Sequence, residues 1–228
     1  MARRVASVAV LAIVVVSAAS PARAGCSDAA KEGVNWSGCD KSNIVVAKRV
    51  LERSNLSRAN FTSSDLRGTS LKEADLGKAI LTLTALSGAD LTEARLGGAY
   101  GTRTKFNGAI LRKADLSKTD LLRADFAKAD LSGADFSSAQ LSRANLTGAK
   151  LEDVKLVSTV LSRAVATDTD FSNADLTGAV MQLTRIEGAD LTRAKGLTAA
   201  QINEACGDQR TRLPQGLAPP ASWPCRKR

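Results

Sequence analysis

The sequence predicts an all-β solenoid, and three observations predict it. Every fifth residue from Leu56 to Leu191 is large and apolar except Gly101 and Ala166, and all five Phe (Phe61, Phe106, Phe126, Phe136 and Phe171) fall on this stride. Two residues before each centre stands something small, as in Ser54, Ala59, Ser64, Thr69 and Ala74, with Val154 the largest. No insertion or deletion shifts the phase, which is the mark of a repeat architecture.

The stride excludes ordinary elements. On an α-helix five residues advance a side chain by about 500°, a net turn of roughly 140°, which would smear the leucines around the cylinder. On a straight strand side chains alternate, so every second leucine would face water. All the centres are hidden only if the chain turns the same way once per pentad and a closed coil of a few pentads stacks on the next. The small second inward residue follows from crowding in that interior. Backbone groups then pair between coils about 4.8 Å apart, as in a sheet.

The segments Ala114–Lys118 (Ala-Asp-Leu-Ser-Lys), Ala129–Gly133 (Ala-Asp-Leu-Ser-Gly), Ala144–Gly148 (Ala-Asn-Leu-Thr-Gly) and Ala174–Gly178 (Ala-Asp-Leu-Thr-Gly) resemble the pentapeptide repeat family over roughly residues 34–195. That resemblance implies a right-handed quadrilateral β-helix with four pentads per coil. It implies no shared activity, because fold does not give function. About 7 coils at about 4.8 Å would make a rod near 34 Å long.

Taken in order, residues 1–24 read as a signal peptide: Arg3 and Arg4, an apolar run from Val5 to Ala19, then Ala22-Arg23-Ala24 before Gly25. The run is shorter than the about 20 residues a membrane span needs, so no transmembrane segment is expected after cleavage. A lipid-anchored Cys26 and an N-terminal helix of the mature fold are the competing readings, the first weakened by Arg23. Cleavage would remove Arg3, Arg4 and Arg23, taking 32 basic residues to 29 against 23 acidic ones, a net charge of +6.

Residues 25–53 read as an N-terminal cap and irregular first coil. Val34-Asn35-Trp36-Ser37-Gly38 keeps the phase, but Lys41 falls on an inward position, where an unpaired charge is costly, so the rhythm is expected to break there. Trp36 would plug the open end, with ligand stacking as the alternative. Residues 54–195 form the repeat array proper, and either a small void or a bend is expected at Gly101 and at Ala166.

Residues 196–228 read as a C-terminal cap. Thr198 and Gln201 make a capping box and Leu197 and Ile202 a hydrophobic staple, starting a helix from Ala199 to about Cys206 that Gly207 stops. An extended Pro-rich tail follows. This ending is similar to those of exported bacterial members of the family. Cys26 and Cys39 lie at one end of the chain, Cys206 and Cys225 at the other. Export favours disulfides, and pairing within each end would clamp coils that otherwise fray. A four-thiolate metal site is the alternative, but C-x-x-C spacing is missing and there is no His.

Without His there is no imidazole acid–base pair or triad, and Gly97-Gly98 lacks the Gly-Lys-Ser/Thr of a phosphate loop. Carboxylates such as Asp115, Asp120, Asp125, Asp130 and Asp135 all occupy the slot before a centre, which the family pattern turns outward. No enzyme activity and no cofactor are expected.

With four pentads per coil, residues 20 apart stack, and one outward side stands out. It collects Ile80, Leu83, Tyr100, Leu122, Val160, Val180 and Leu183, together with Arg103, Arg123, Arg143 and Arg163 in one column. Like charges at that spacing repel by roughly 1 kcal/mol per pair before salt screening. Either this is a face for a partner or for self-association, or it is a solvated column softened by Asp120 and Asp125.

Three function classes follow. The first is a non-catalytic structural or protein-interaction module of the periplasm or extracellular space, whose partner is an unidentified protein or envelope component. The second is a binder of a polyanion such as lipopolysaccharide or nucleic acid, through the arginine column and basic tail. With Tyr100 the only Tyr and every Phe turned inward, little stacking surface exists for single-stranded nucleic acid. The third resembles the DNA-mimicking, topoisomerase-interacting members of the family, and a net positive charge has the wrong sign for it.

Overall fold

One pentad accounts for the whole backbone. In Leu56–Asn60 the N–H of Leu56 donates to Asp75 O at 2.7 Å and that of Arg58 to Gly77 O at 2.9 Å, both on the following coil. The N–H of Asn60 reaches back to Cys39 O at 2.9 Å, and Ala59 N–H closes a turn on Leu56 O at 3.1 Å. Repeated along the chain, these bonds form a β-helix of stacked pentads. The computed structural model describes residues 25–225, so the signal-peptide reading of residues 1–24 lies outside the described residues.

Parallel pairing joins residue i to residue i+20 without a slip, from Asn35↔Asn55 to Asp175↔Lys195, so four pentads make a coil. Each side pairs through a single residue, because the other four of the pentad are spent on the turn. In that turn the residue two after the centre has positive φ, the requirement of a type II turn. Glycine fills this slot in places, but Lys118, Arg123 and Leu183 are among the residues that adopt it, with φ of 54–58°. Each such side chain costs about 1–2 kcal/mol over the right-handed conformation, and the ladder bonds on both sides hold it there.

The interior is a single column in which every centre from Leu51 to Leu191 is buried, while Lys41 and Ile44 in the first coil are only half-buried. Phe106 and Phe126 stack at 4.8 Å, and Phe136 meets Phe126 edge-on at 5.7 Å. Threonine in the small inward slot remains satisfied: Thr84, Thr104, Thr159 and Thr184 each donate to a centre carbonyl one coil back, at 2.7–2.8 Å.

Gly101 produces neither of the two expected outcomes. A Cβ there would lie 2.7 Å from both Leu121 Cδ2 and Thr104 Oγ1, so neighbouring side chains have closed over the position. The pairing Tyr100↔Asp120 continues past it. Ala166 is likewise buried, within the unbroken ladder.

The rhythm also runs unbroken past Lys41, contrary to expectation: Asp40↔Asn60 and Val45↔Asp65 keep register. The charge is accommodated because Lys41 Nζ sits 3.9 Å over the Trp36 ring and donates to Cys26 O at 2.6 Å. Trp36 itself is buried, tilted against Phe61, with its Nε1 donating to Asp28 O, so its ring is not open for ligand stacking. Disulfides join Cys26 to Cys39 and Cys206 to Cys225, and among the described residues no cysteine is free.

Helix α1 spans Ala199–Glu204 and starts with the Thr198–Gln201 capping box. Gln201 Nε2 also donates to Leu176 O and Ala179 O, closing two carbonyls of the last coil. The helix ends before the expected Cys206 because Cys206 pairs with Arg185 in the ladder. Gly207 is therefore not a helix stop. It is needed for space: a Cβ there would fall 2.4 Å from the Trp223 ring, whose Nε1 donates to Ala205 O. We expect Gly207→Ala to destabilise the protein by about 1–3 kcal/mol in denaturant unfolding, and to cost far less in a Trp223→Ala background.

Candidate functional site

The backbone ladder leaves one N–H per pentad unused, that of the residue after the centre. In about half of the pentads Asp or Asn just before the centre accepts it: Asp75 Oδ1 takes Gly77 N–H at 2.9 Å, and Asp175 Oδ1 takes both the N–H and the hydroxyl of Thr177, at 3.0 and 2.6 Å. The Asp of the repeat is thus a turn residue. Among the described residues no group of three or more His, Cys, Asp or Glu could hold a metal ion.

These bonds favour the ionised carboxylate. The Thr177 hydroxyl, then its N–H, hold Asp175 below the ordinary value of 3.8. At Asp90 and Asp135 burial is the largest single influence and pushes upward, but the turn bonds and the nearby Lys72 or Lys155 together keep the net shift downward.

The side singled out in the sequence breaks this pattern. Ile80, Tyr100, Asp120, Gln140, Val160 and Val180 stack as successive bridge residues, and only Asp120 supplies the turn acceptor, to Leu122 N–H at 3.3 Å. Elsewhere Thr or Ser after the centre is held by the preceding Asp or Asn, except Ser87 and Thr167, whose hydroxyls pair instead with Asn107 and Thr147. Here the N–H and hydroxyl groups of Thr102, Ser142 and Ser162 have no hydrogen-bond partner among the described residues. Sequence reasoning missed these donors. The signal was present, since Tyr100, Gln140 and Val160 stand where the repeat calls for Asp or Asn.

Beside them run Leu83, Arg103, Arg123, Arg143, Arg163 and Leu183, all in the positive-φ slot. The four arginines are exposed, and none is in an ion pair among the described residues. Asp125 makes no ion pair with the column; its Oδ1 accepts from Ala127 N–H at 3.1 Å and Asn145 Nδ2 at 2.9 Å. Other outward columns interleave signs, as in Asp75–Arg95 at 3.1 Å and Asp135–Lys155 at 3.6 Å along one corner. No other column stacks more than two like charges in succession. Tyr100 is 57% exposed and Leu83 50%, with Ile80, Leu122, Val180 and Leu183 also exposed and Val160 half-buried. The structure therefore brings every residue of the predicted face onto one side of the helix. A shallow depression beside Leu83 is lined in part by Ser63, Lys105 and the ion pair of Asp65 with Arg67 at 2.6 Å.

A family model described as pentapeptide repeats matches residues 50–82, 84–122, 119–156 and 155–193. Among solved structures the chain is similar to HetL of Nostoc sp. strain PCC 7120, a pentapeptide repeat protein involved in heterocyst differentiation regulation: 29% identity, 81% of this chain and 91% of that one, TM-score 0.44. It is similar to QnrB1, a plasmid-mediated fluoroquinolone resistance protein, at 14% identity over 82% and 93%, TM-score 0.41. A pentapeptide repeat protein of the Arabidopsis thaliana thylakoid lumen is 32% identical over 53% of this chain and 79% of its own, TM-score 0.35. No curated protein matches.

Two outcomes are expected of this geometry. Stability conferred by the depressed carboxylates is complete above their ordinary value near 3.8 and is lost as pH falls through their lower folded values. Acid titration of the unfolding midpoint should show this loss below about pH 4, and it should shrink as Asp175, Asp90 and Asp135 are changed to Asn, which keeps the acceptor. Replacing Arg123 or Arg143 with Gln should raise the unfolding midpoint at low salt, with the gain fading as salt is added.

Proposed function

The chain belongs to the pentapeptide repeat family, and from that premise we propose that it is a non-catalytic interaction module that presents a rigid rod to a partner outside the cytoplasm. In this reading the rod is right-handed, has about seven coils at four pentads each, and is closed at one end by α1. One observation carries the proposal. One side gathers four unpaired arginines in register with unpaired hydroxyls and exposed apolar side chains, where other columns interleave charges. Such a side costs repulsion and exposed apolar area without helping the fold, which is expected of a binding surface.

Two disulfides support a compartment that is oxidising, periplasmic or extracellular, as does the signal-like character of residues 1–24. The absence of His and of a metal-binding cluster among the described residues supports a role without turnover. Among the described residues no helix is long and apolar enough to cross a membrane. The uncompensated arginine column favours a second reading, a binder of polyanions.

Affinity capture from an envelope fraction, with the purified chain as bait, tests the module. A component should be retained by the native protein and lost when Arg103, Arg123, Arg143 and Arg163 are all changed to Gln, or when Tyr100 and Leu83 are changed to Ser. Equal retention by native and altered baits would remove this face from the proposal.

A further inference from the structure

We propose that this side lays the rod lengthwise on an anionic lipid surface, with the arginines on headgroup phosphates and the flanking apolar side chains against the lipid beneath. The proposal rests on the interaction reading above and names the chemistry of its partner.

The order of residues along one column carries the argument. Leu83, Arg103, Arg123, Arg143, Arg163 and Leu183 follow one another on successive coils, all in the positive-φ slot, so a leucine closes each end of the arginine run. The backbone fixes the step: Arg103 N–H donates to Leu122 O at 2.9 Å and Arg123 N–H to Ser142 O at 3.0 Å. Five steps of about 4.8 Å place the two leucines about 24 Å apart. The adjoining column repeats the order, with Ile80 and Tyr100 at one end and Val160 and Val180 at the other. Of the nine exposed large apolar residues among the described ones, six stand on this side. Asp120 is the one acid in these columns, and its Oδ1 accepts from Leu122 N–H.

This order reverses that of a protein interface, which gathers apolar side chains at its centre and charges at its rim. Here charge occupies the middle and apolar groups the two ends. A partner without edges suits the pattern, since it covers the ends as fully as the middle. A soluble polyanion would neutralise the arginines and leave the leucines in water. A bilayer surface meets both needs at once, with phosphates at headgroup level and hydrocarbon just below. Arginine suits it further, because its stem lies along apolar surface while its guanidinium reaches phosphate. No spacing has to match, because lipids diffuse to the positions the coils dictate. The wall is straight, for the pairing at i and i+20 continues through these coils without a slip.

Vesicle flotation tests this, with vesicles of phosphatidylcholine alone and of phosphatidylcholine with about one-third phosphatidylglycerol. The chain is used from Gly25 onward, because the apolar run from Val5 to Ala19 would enter vesicles by itself. Both disulfides and the ladder between them lie within residues 25–225. The native chain should bind the anionic vesicles at least about tenfold more tightly than the neutral ones, and Arg123→Gln with Arg143→Gln should remove about tenfold or more. Leu83→Asn with Leu183→Asn keeps the turn, since Asn43 and Asn173 already occupy this slot. That pair should weaken binding to anionic vesicles by about threefold or more and leave binding of soluble inorganic polyphosphate unchanged. The unfolding midpoint of each variant should stay the same or rise. Equal binding to the two kinds of vesicle, or unchanged vesicle binding by the arginine variant, overturns the proposal. A leucine variant that binds anionic vesicles as the native chain does also overturns it, and leaves a general polyanion binder. If neither vesicle is bound while envelope capture still depends on the four arginines, the lipid surface is wrong and the interaction module stands.

Discussion

A side of this helix is so short that it admits one large and one small side chain inward, and everything else adjusts to that limit. The chain must turn within five residues, which forces one residue per pentad into positive φ and leaves one N–H without a backbone partner. Ser, Thr or Ala beside the centre answers the crowding, and the Asp or Asn before it answers the orphaned N–H. The repeat consensus is in this sense a list of unmet backbone needs and the cheapest side chains that meet them.

The same constraint gives the aspartates of the repeat a structural task. Those such as Asp175 are tied by Oδ1 to the turn they stabilise, and those bonds favour the ionised form. Distinctive behaviour can arise only where the consensus is abandoned over several coils in register. That happens on the side of Tyr100, Gln140 and Val160, and the loss of turn acceptors there coincides with the accumulation of arginines in the next slots.

Much of this was legible in the residues. The stride and its phase implied a stacked coil, and the outward columns could be read by counting twenty. What escaped depended on three-dimensional accommodation. Lys41 could be tolerated inward because Trp36 offers a ring face and Cys26 a carbonyl, a pairing no spacing rule announces. Gly101 looked like a hole, but Leu121 and Thr104 lean into it. Gly207 looked like a helix stop, and only the path of the tail shows that Trp223 occupies the volume of its missing Cβ. The candidate face was found by its side chains, whereas its unused N–H groups follow from Tyr100, Gln140 and Val160 standing in the acceptor slot, a signal that gains meaning once the turn bond of the repeat is known.

Pairing at i and i+20 has a consequence for how such a chain can change length. Gaining or losing twenty residues adds or removes a storey and leaves every vertical stripe intact. A change of five keeps the leucines inside but rotates all that follows by a quarter turn, so the upper half of the arginine stripe would move to a neighbouring wall. The molecule can therefore survive many edits as a folded object that it could not survive as a recognition surface.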